Sequence, residues 1–309
     1  MTTAVCTLFE GDYHSGVAAL ANSLHRAGFT GVLYAGHRGP RPAWAAGGTA
    51  AAGDARVVLV ALDTSVHFTN FKPQFMRRVL DTLAPDADAV LYLDPDLCLT
   101  APWRFIDEWI ESGVALSEDV NSPLHENHPR RVGWRKFYAP RGHALRYRGA
   151  AYVNGGAVGV TRARADFLEA WETLQALMGE EIGGLDQVKL DGGTSGKMRN
   201  PFFCFNVHDQ DALNATLEAR ADVPVSILGR EAMGFAPGLR VLPHALGHRK
   251  PWRRPYLREI LAGRPPGPAD EAFWRHAEGP IQAWPPGLPA RRRREILVAR
   301  FLARFIARG

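Results

Sequence analysis

Cysteine is scarce in this sequence: Cys6, Cys98 and Cys204 are the whole supply in 309 residues. Their number is odd, each lies in or beside an apolar run, and no Cys-x-x-Cys pair occurs, which argues against a disulfide framework and leaves reduced, buried thiols. Long apolar runs are missing too. No stretch approaches the roughly 18 residues that a membrane span requires. The start, Met1-Thr2-Thr3-Ala4-Val5-Cys6, lacks the basic and then apolar pattern of a secretory signal. These absences predict a protein that stays in the cytoplasm. There is no internal repeat. Charge of one sign is also limited, with 37 Lys and Arg against 32 Asp and Glu. The excess is concentrated near the C-terminus, where Arg291 to Arg294, Arg300, Arg304 and Arg308 stand against Glu295 alone. The remainder is therefore close to neutral. A nucleic-acid partner asks for a broad basic face interleaved with aromatics, so none is expected.

What is present is an ordinary globular composition, 46% hydrophobic, enough for one large decorated domain or two small ones. Short apolar runs at Ala4 to Phe9, Gly31 to Tyr34, Val57 to Ala61 and Ala89 to Leu93 predict buried strands. Apolar residues at helical spacing over Val17 to Ala27, Phe71 to Leu83 and Trp103 to Ile110 predict helices. The stretch from Gly36 to Gly53 predicts a loop. Further on, Val114 to Leu116, Tyr152 to Val160 and Val223 to Leu228 read as strands, Ala163 to Met178 and a segment from Asp209 as helices. Asn121 to Arg148 reads as a long polar segment, with Pro123, His125, His128, Arg130, Arg131, Trp134 and Arg135 forming either a basic, aromatic pocket or a solvated lid. Alternating strands and helices predict an α/β fold with a mostly parallel sheet. Ligands then collect at the carboxyl ends of its strands.

Asp94 and Asp96 follow the strand Val90-Leu91-Tyr92-Leu93 directly. In extended chain, residues i and i+2 point the same way, so both carboxylates can reach one hard cation. A bare Asp-x-Asp is more often a solvated acidic turn; the preceding strand shifts the balance. Near the other end lies His244-Ala245-Leu246-Gly247-His248-Arg249-Lys250-Pro251-Trp252. There an imidazole can complete an oxygen and nitrogen shell, a glycine lets backbone approach a phosphate, and a lysine can neutralise diphosphate.

In order along the chain come Glu10-Gly11-Asp12-Tyr13, Leu93-Asp94-Pro95-Asp96, Asn154-Gly155-Gly156, Asp209-Gln210-Asp211-Ala212-Leu213-Asn214 and the His-x-x-Gly-x-x-Lys-Pro-Trp run. With these elements the sequence resembles the family-8 retaining glycosyltransferases of GT-A fold, relatives of lipopolysaccharide galactosyl- and glucosyltransferases and of glycogenin, over roughly residues 4 to 252. The resemblance implies that Asp94, Asp96 and His244 bind Mn2+ or Mg2+. It implies that Tyr13 and Asp12 meet the base and ribose of a nucleotide-diphosphate sugar, and that Gly247 and Lys250 grip the diphosphate. Asn154 and Asp119 would contact the donor sugar, and Asp209 and Gln210 would line the face where the anomeric carbon reacts. Lys72, where relatives often carry an arginine on the helix before the metal motif, would meet the donor's phosphate or sugar. The first loop departs from the family's Ala-Asp-Asx run. Each assignment has a plainer rival: Tyr13 as a packing aromatic, Asp209 as a helix N-cap, Asn154-Gly155-Gly156 as a turn or bulge, His248 in place of His244. Rival functions are an inverting glycosyltransferase, a nucleotidyltransferase, and a non-catalytic nucleotide-sugar binder at a membrane surface.

The organisation expected is a catalytic domain over 1–252, a Pro/Gly-rich wrapping segment over 253–290, and a basic amphipathic helix over 291–309. On that helix Val298, Phe301, Leu302, Phe305 and Ile306 share one arc, while Arg300, Arg304 and Arg308 recur on another side. The pattern predicts attachment to an anionic membrane on its cytoplasmic face, next to a glycan or lipid-linked acceptor. The rival is packing of that arc on the protein itself.

Overall fold

The computed structural model of the chain describes residues 1–186 and 203–306. Most of the second Gly-rich stretch, Gly183 to Gly196, and residues 307–309 of the helix expected at the C-terminus, Ala307 and Arg308 included, lie outside the described residues. Among the described residues eight strands form one mixed sheet: β1 (Thr3–Phe9), β2 (Val32–His37), β3 (Thr49–Ala52), β4 (Ala55–Ala61), β5 (Ala89–Leu93), β6 (Val114–Glu118), β7 (Val153–Thr161) and β8 (Val225–Leu228). Their order is β3-β4-β2-β1-β5-β7-β6-β8. The pairs β1–β5, β2–β4 and β6–β8 are parallel, whereas β3–β4 and β6–β7 are antiparallel. The helices are α1 (His14–Arg26), α2 (Lys72–Arg78), α3 (Trp103–Glu111), α4 (Pro129–Tyr138), α5 (Asp166–Ile182), α6 (His208–Ala219), α7 (Tyr256–Leu261), α8 (Pro268–His276) and α9 (Leu288–Ile306). The α/β class expected from the alternation is the class found. β1 and β5 are buried along their whole length, which is why they read as apolar runs, broken in β1 only by Thr3 and Thr7, rather than as alternation.

The chain divides into two compact units, each assembled from three separate stretches. Unit 1 comprises Met1–Cys6, Asp63–Tyr92 and Asp107–Arg230. Within it the polar segment expected over 121–148 holds α4, started by Pro129 in the first turn and by His128, whose ring accepts from the Arg130 amide at 3.2 Å. Trp134 and Tyr138 are fully buried; the indole donates to the Cys204 carbonyl at 2.8 Å and the phenol to that of Leu174 at 2.9 Å. Arg131 is buried against Glu218 and donates to the Leu124 and Ala151 carbonyls, both at 2.7 Å. Arg131 and Trp134 therefore belong to neither an open pocket nor a solvated lid: their polar groups are engaged by unit 1 itself.

Unit 2 comprises Thr7–Leu62, Leu93–Ile106 and Glu231–Gly309. The expected loop over 36–53 contains β3, whose Thr-Ala-Ala-Ala sequence carries no periodic signal; a two-residue turn at Gly53-Asp54, with Gly53 at φ +63°, folds it back on β4. The Pro/Gly-rich stretch after Lys250 holds α7 and α8, with Pro268 in the first turn of α8. Tyr256, Ile260, Phe273 and Trp274 from these helices pack with Ala19 of α1, Cys98, and Ile296 and Ala299 of α9 in one apolar cluster. All three cysteines are free and buried, as their scarcity suggested.

One polar side chain ties α1 to this C-terminal part of unit 2. Asn22 is fully buried; its amide donates to the His276 and Ile281 carbonyls, each at 2.9 Å, and its oxygen accepts from the Ile281 amide at 3.0 Å. Gly279 completes the fit, since a Cβ there would lie 2.5 Å from the Asn22 side-chain carbon Cγ. Asn22→Ala strands three buried backbone groups and should cost on the order of 3 kcal/mol, lowering the melting temperature by about 5 °C. Calorimetry showing an unshifted transition would deny the network that role.

Candidate functional site

In unit 2, Asp94 and Asp96 leave the carboxyl end of β5 in a tight turn, closed by the Leu97 amide donating to the Asp94 carbonyl at 3.1 Å. Leu97 then forms an isolated antiparallel bridge with His244. The Ala245 amide donates to the Asp96 carbonyl at 3.3 Å, and the His244 amide to that of Met233 at 3.0 Å. This backbone splint brings the imidazole to the carboxylates: His244 Nε2 lies 3.6 Å from Asp94 Oδ2 and 3.3 Å from Asp96 Oδ1. One ligand atom from each of the three residues falls within 4.8 Å of the others. Two carboxylates and an imidazole are a fitting donor set for a divalent cation such as Mn2+ or Mg2+. His248, the rival ligand, is exposed and is not part of this cluster.

Lys250 belongs to the same place. Its ammonium donates to the Asp96 carboxylate and to the Ala245 carbonyl at 2.7 Å, and lies 5.6 Å from the centre of the Tyr13 ring. Burial alone would raise the Asp96 carboxyl, but the Lys250 charge and His244 outweigh it and hold the group well below the usual carboxylate range. Burial likewise works against the Lys250 charge, and Asp96 more than offsets it. Asp12 accepts from the Arg253 guanidinium and from Trp252 Nε1 at 2.9 Å, and hydrogen bonding to Arg253 lowers its pKa. Tyr13 meets Trp252 edge-on at 5.4 Å. Gly247 has φ +73°, a left-handed conformation that glycine adopts without strain, and it is exposed. The roles of Trp252 and Arg253 as anchors of the first loop were not read from the sequence, because nothing local connects them to Asp12.

A second polar cluster lies in unit 1. Lys72 is 3% exposed; it donates to Asp209 Oδ2 at 3.0 Å and to the Gly155 carbonyl at 2.8 Å. Gln210 Oε1 accepts from the Gly155 amide at 3.3 Å. Asn154 donates to Asp119 Oδ2 at 2.7 Å and accepts from the Gly156 amide at 2.8 Å, while Asp119 Oδ1 accepts from the Asn121 amide at 2.9 Å. The sequence thus picked out Lys72, Asp119, Asn154, Asp209 and Gln210 separately, and the fold gathers them within unit 1. Asn154-Gly155-Gly156 lies inside β7, at a register shift against β6, so the bulge reading of its geometry holds beside any functional one. Asp209 is not the N-cap of α6, a position taken by Val207; the carboxylate that accepts from the Val207 amide, at 2.7 Å, is that of Asp211. Asp211 also accepts from the Tyr152 hydroxyl at 2.9 Å, and burial, opposed by Arg130, pushes its pKa up to about 7.

No protein-family model matches the chain, and no curated protein matches it. Among solved structures the chain is similar to the glycosyltransferase GlyE of Streptococcus pneumoniae TIGR4, at 17% identity and a TM-score of 0.48. The likeness covers 90% of this chain and 60% of that one, so the chain spans less than two thirds of its length. A similarity of that size establishes neither a shared family nor a shared activity.

The Asp-Pro-Asp turn has a further neighbour that the sequence did not advertise. A Cβ on Gly16, in the first turn of α1, would lie 2.1 Å from the Pro95 carbonyl oxygen and 3.1 Å from the Trp252 ring. Because backbone cannot yield as a flexible side chain does, Gly16→Ala should push the turn and lower the affinity of the candidate Asp94–Asp96–His244 site for added Mn2+ by about tenfold, near 1.4 kcal/mol, while leaving the far-ultraviolet circular dichroism unchanged. Unaltered Mn2+ affinity by calorimetry would count against the contact as a determinant of the site.

Proposed function

We propose that the chain is a metal-dependent glycosyltransferase of GT-A type that transfers a hexose from a nucleotide-diphosphate sugar, with UDP the nucleotide expected, to a glycan or lipid-linked acceptor with retention of configuration. The observation that carries this reading is the convergence of Asp94, Asp96 and His244 on one point at the carboxyl end of a sheet strand. A divalent ion held there would offset the negative charge of the donor's diphosphate. The neighbouring residues have complementary tasks. Lys250 supplies a buried cation for the leaving group, and Gly247 leaves room for backbone to approach a phosphate. Tyr13, steadied by Trp252, offers a face and a hydroxyl to the base or ribose. In unit 1, Asn154 and Asp119 would hold the sugar hydroxyls, and Lys72 keeps Asp209 and the Gly155 carbonyl in place.

In the transfer, the bond from the anomeric carbon to the diphosphate oxygen breaks, the acceptor oxygen bonds to that carbon, and the acceptor proton passes to a leaving phosphate oxygen. Same-face attack is favoured over a covalent intermediate because the Gln210 amide is a weak nucleophile. Asp209 is already engaged by Lys72.

The terminal helix adds a partner to this reading. Val298, Phe301, Leu302, Phe305 and Ile306 of α9 are all exposed, and Arg291, Arg294 and Arg304 are exposed beside them. An anionic membrane surface on the cytoplasmic side suits both sets, at about 1 kcal/mol per basic residue. Ile296 and Ala299 instead pack inward, so part of the helix serves the fold as well. No helix among the described residues is long and apolar enough to cross a membrane.

Two experiments test the catalytic reading. Asp96→Ala and His244→Ala should each abolish Mn2+-dependent stabilisation of the protein by nucleotide sugars in a thermal-shift screen; retention of that response in either variant would remove the metal assignment. Lys250→Ala and Gln210→Ala should then differ in kind. The first should weaken donor binding and rate together, the second mainly the rate, each by about 100-fold in kcat/KM. Wild-type kinetics in both would show that the reaction happens elsewhere.

A further inference from the structure

Eight of the twelve large hydrophobic residues exposed among the described residues lie on just two helices, α7 and α9. α7 was not distinguished in the sequence from its Pro- and Gly-rich surroundings. It turns Tyr256 and Ile260 into the apolar cluster of unit 2 and Glu259 to one flank, where Arg254 and Arg249 hold it. Leu257 and Leu261, one turn apart, fall on the opposite flank and are 46% and 78% exposed. Beside this helix, Arg292 of α9 lies 5.1 Å over the Tyr256 ring and donates to the Arg254 carbonyl, which fixes the flank of α9 that meets α7. Leu302 is within about 80° of Arg292 around the helix, on that same side. Phe301 and Phe305, their rings 5.3 Å apart, continue the apolar surface outward with Val298.

Five exposed arginines on or near these helices are left without a carboxylate among the described residues. Arg258 and Arg264 near α7, and Arg291, Arg294 and Arg304 on α9, are exposed and form no ion pair among the described residues. By contrast, Arg292, Arg293 and Arg300 are paired with Glu295, Glu278 and Glu271. Apolar side chains ringed by unpaired arginines match a surface with an apolar interior and an anionic skin.

We infer that α7 and α9 together form a two-helix face that seats on an anionic lipid surface, with Leu257 and Leu261 entering the lipid alongside Phe301 and Phe305. This rests on the membrane reading of α9 and enlarges it by a second helix. Because α9 is anchored through Ile296, Ala299 and Arg292, the apolar side chains of both helices meet the surface in one fixed orientation.

The test uses the full chain and vesicles of phosphatidylcholine with or without phosphatidylglycerol, read by co-sedimentation at low salt. Leu257→Ser/Leu261→Ser should weaken binding to anionic vesicles about tenfold with unchanged melting temperature, since both side chains already face solvent. Arg258→Glu/Arg264→Glu should weaken it comparably and provides an independent probe should the leucine variant fold poorly. If both variants bind as the parent does while Phe301→Ser/Phe305→Ser is released, the part given to α7 is overturned and that of α9 stands. If the parent itself ignores anionic vesicles, both readings fall. Equal binding to phosphatidylcholine alone would overturn the electrostatic match, and a stable solution dimer lost in the leucine variant would replace the lipid by a second copy of the chain.

Discussion

The Leu97–His244 bridge is the constraint on which the grouping of Asp94, Asp96 and His244 depends. A single antiparallel pairing, reinforced by the Ala245 amide on the Asp96 carbonyl, joins segments almost 150 residues apart in sequence and sets an imidazole beside two carboxylates. Neither half would be informative alone: an Asp-x-Asp turn is common, and a histidine in a loop commoner. Once the bridge exists, Lys250 follows six residues later at a distance that lets its ammonium reach Asp96, and Trp252 and Arg253 reach back to Asp12. The first loop, the Asp-Pro-Asp turn and the His-to-Trp run are thus held as one piece within unit 2.

Each unit also carries a buried lysine–aspartate pair, Lys250 with Asp96 in unit 2 and Lys72 with Asp209 in unit 1. Desolvating two charges consumes most of what their attraction returns, so such pairs add little to stability; removing one partner strands the other at a cost of about 3–5 kcal/mol. Packing alone would be served as well by two hydrophobic residues. Charges kept buried in such surroundings are more often found at functional sites than in packing cores.

Legibility followed physics. The buried parallel strands were plain from the sequence because β5 is apolar at every position and β1 at all but Thr3 and Thr7. β3 was hidden because three alanines have no face to alternate, and α4 because its inward residues are an arginine and two aromatics inside a polar stretch. The site residues were visible as chemical types, and their order along the chain suggested a family. What stayed hidden was whatever depends on contact across long sequence separation: the Arg253 and Trp252 hold on Asp12, the closeness of Gly16 to Pro95, and the capture of Asp209 by Lys72. Leu257 and Leu261 went unremarked because α7 is too short to show a period.

The Asn22 network has a consequence for how the protein is made. α1 is complete after 26 residues, yet the carbonyl of His276 that receives its amide comes 254 residues after Asn22. At a synthesis rate of 5–20 residues per second, α1 waits roughly 10–50 s for that partner. Because each unit is stitched from three stretches, neither can close before much of the chain has left the ribosome. Ala19 and Asn22 must therefore pass that interval without the partners that α8 and the segment after it supply.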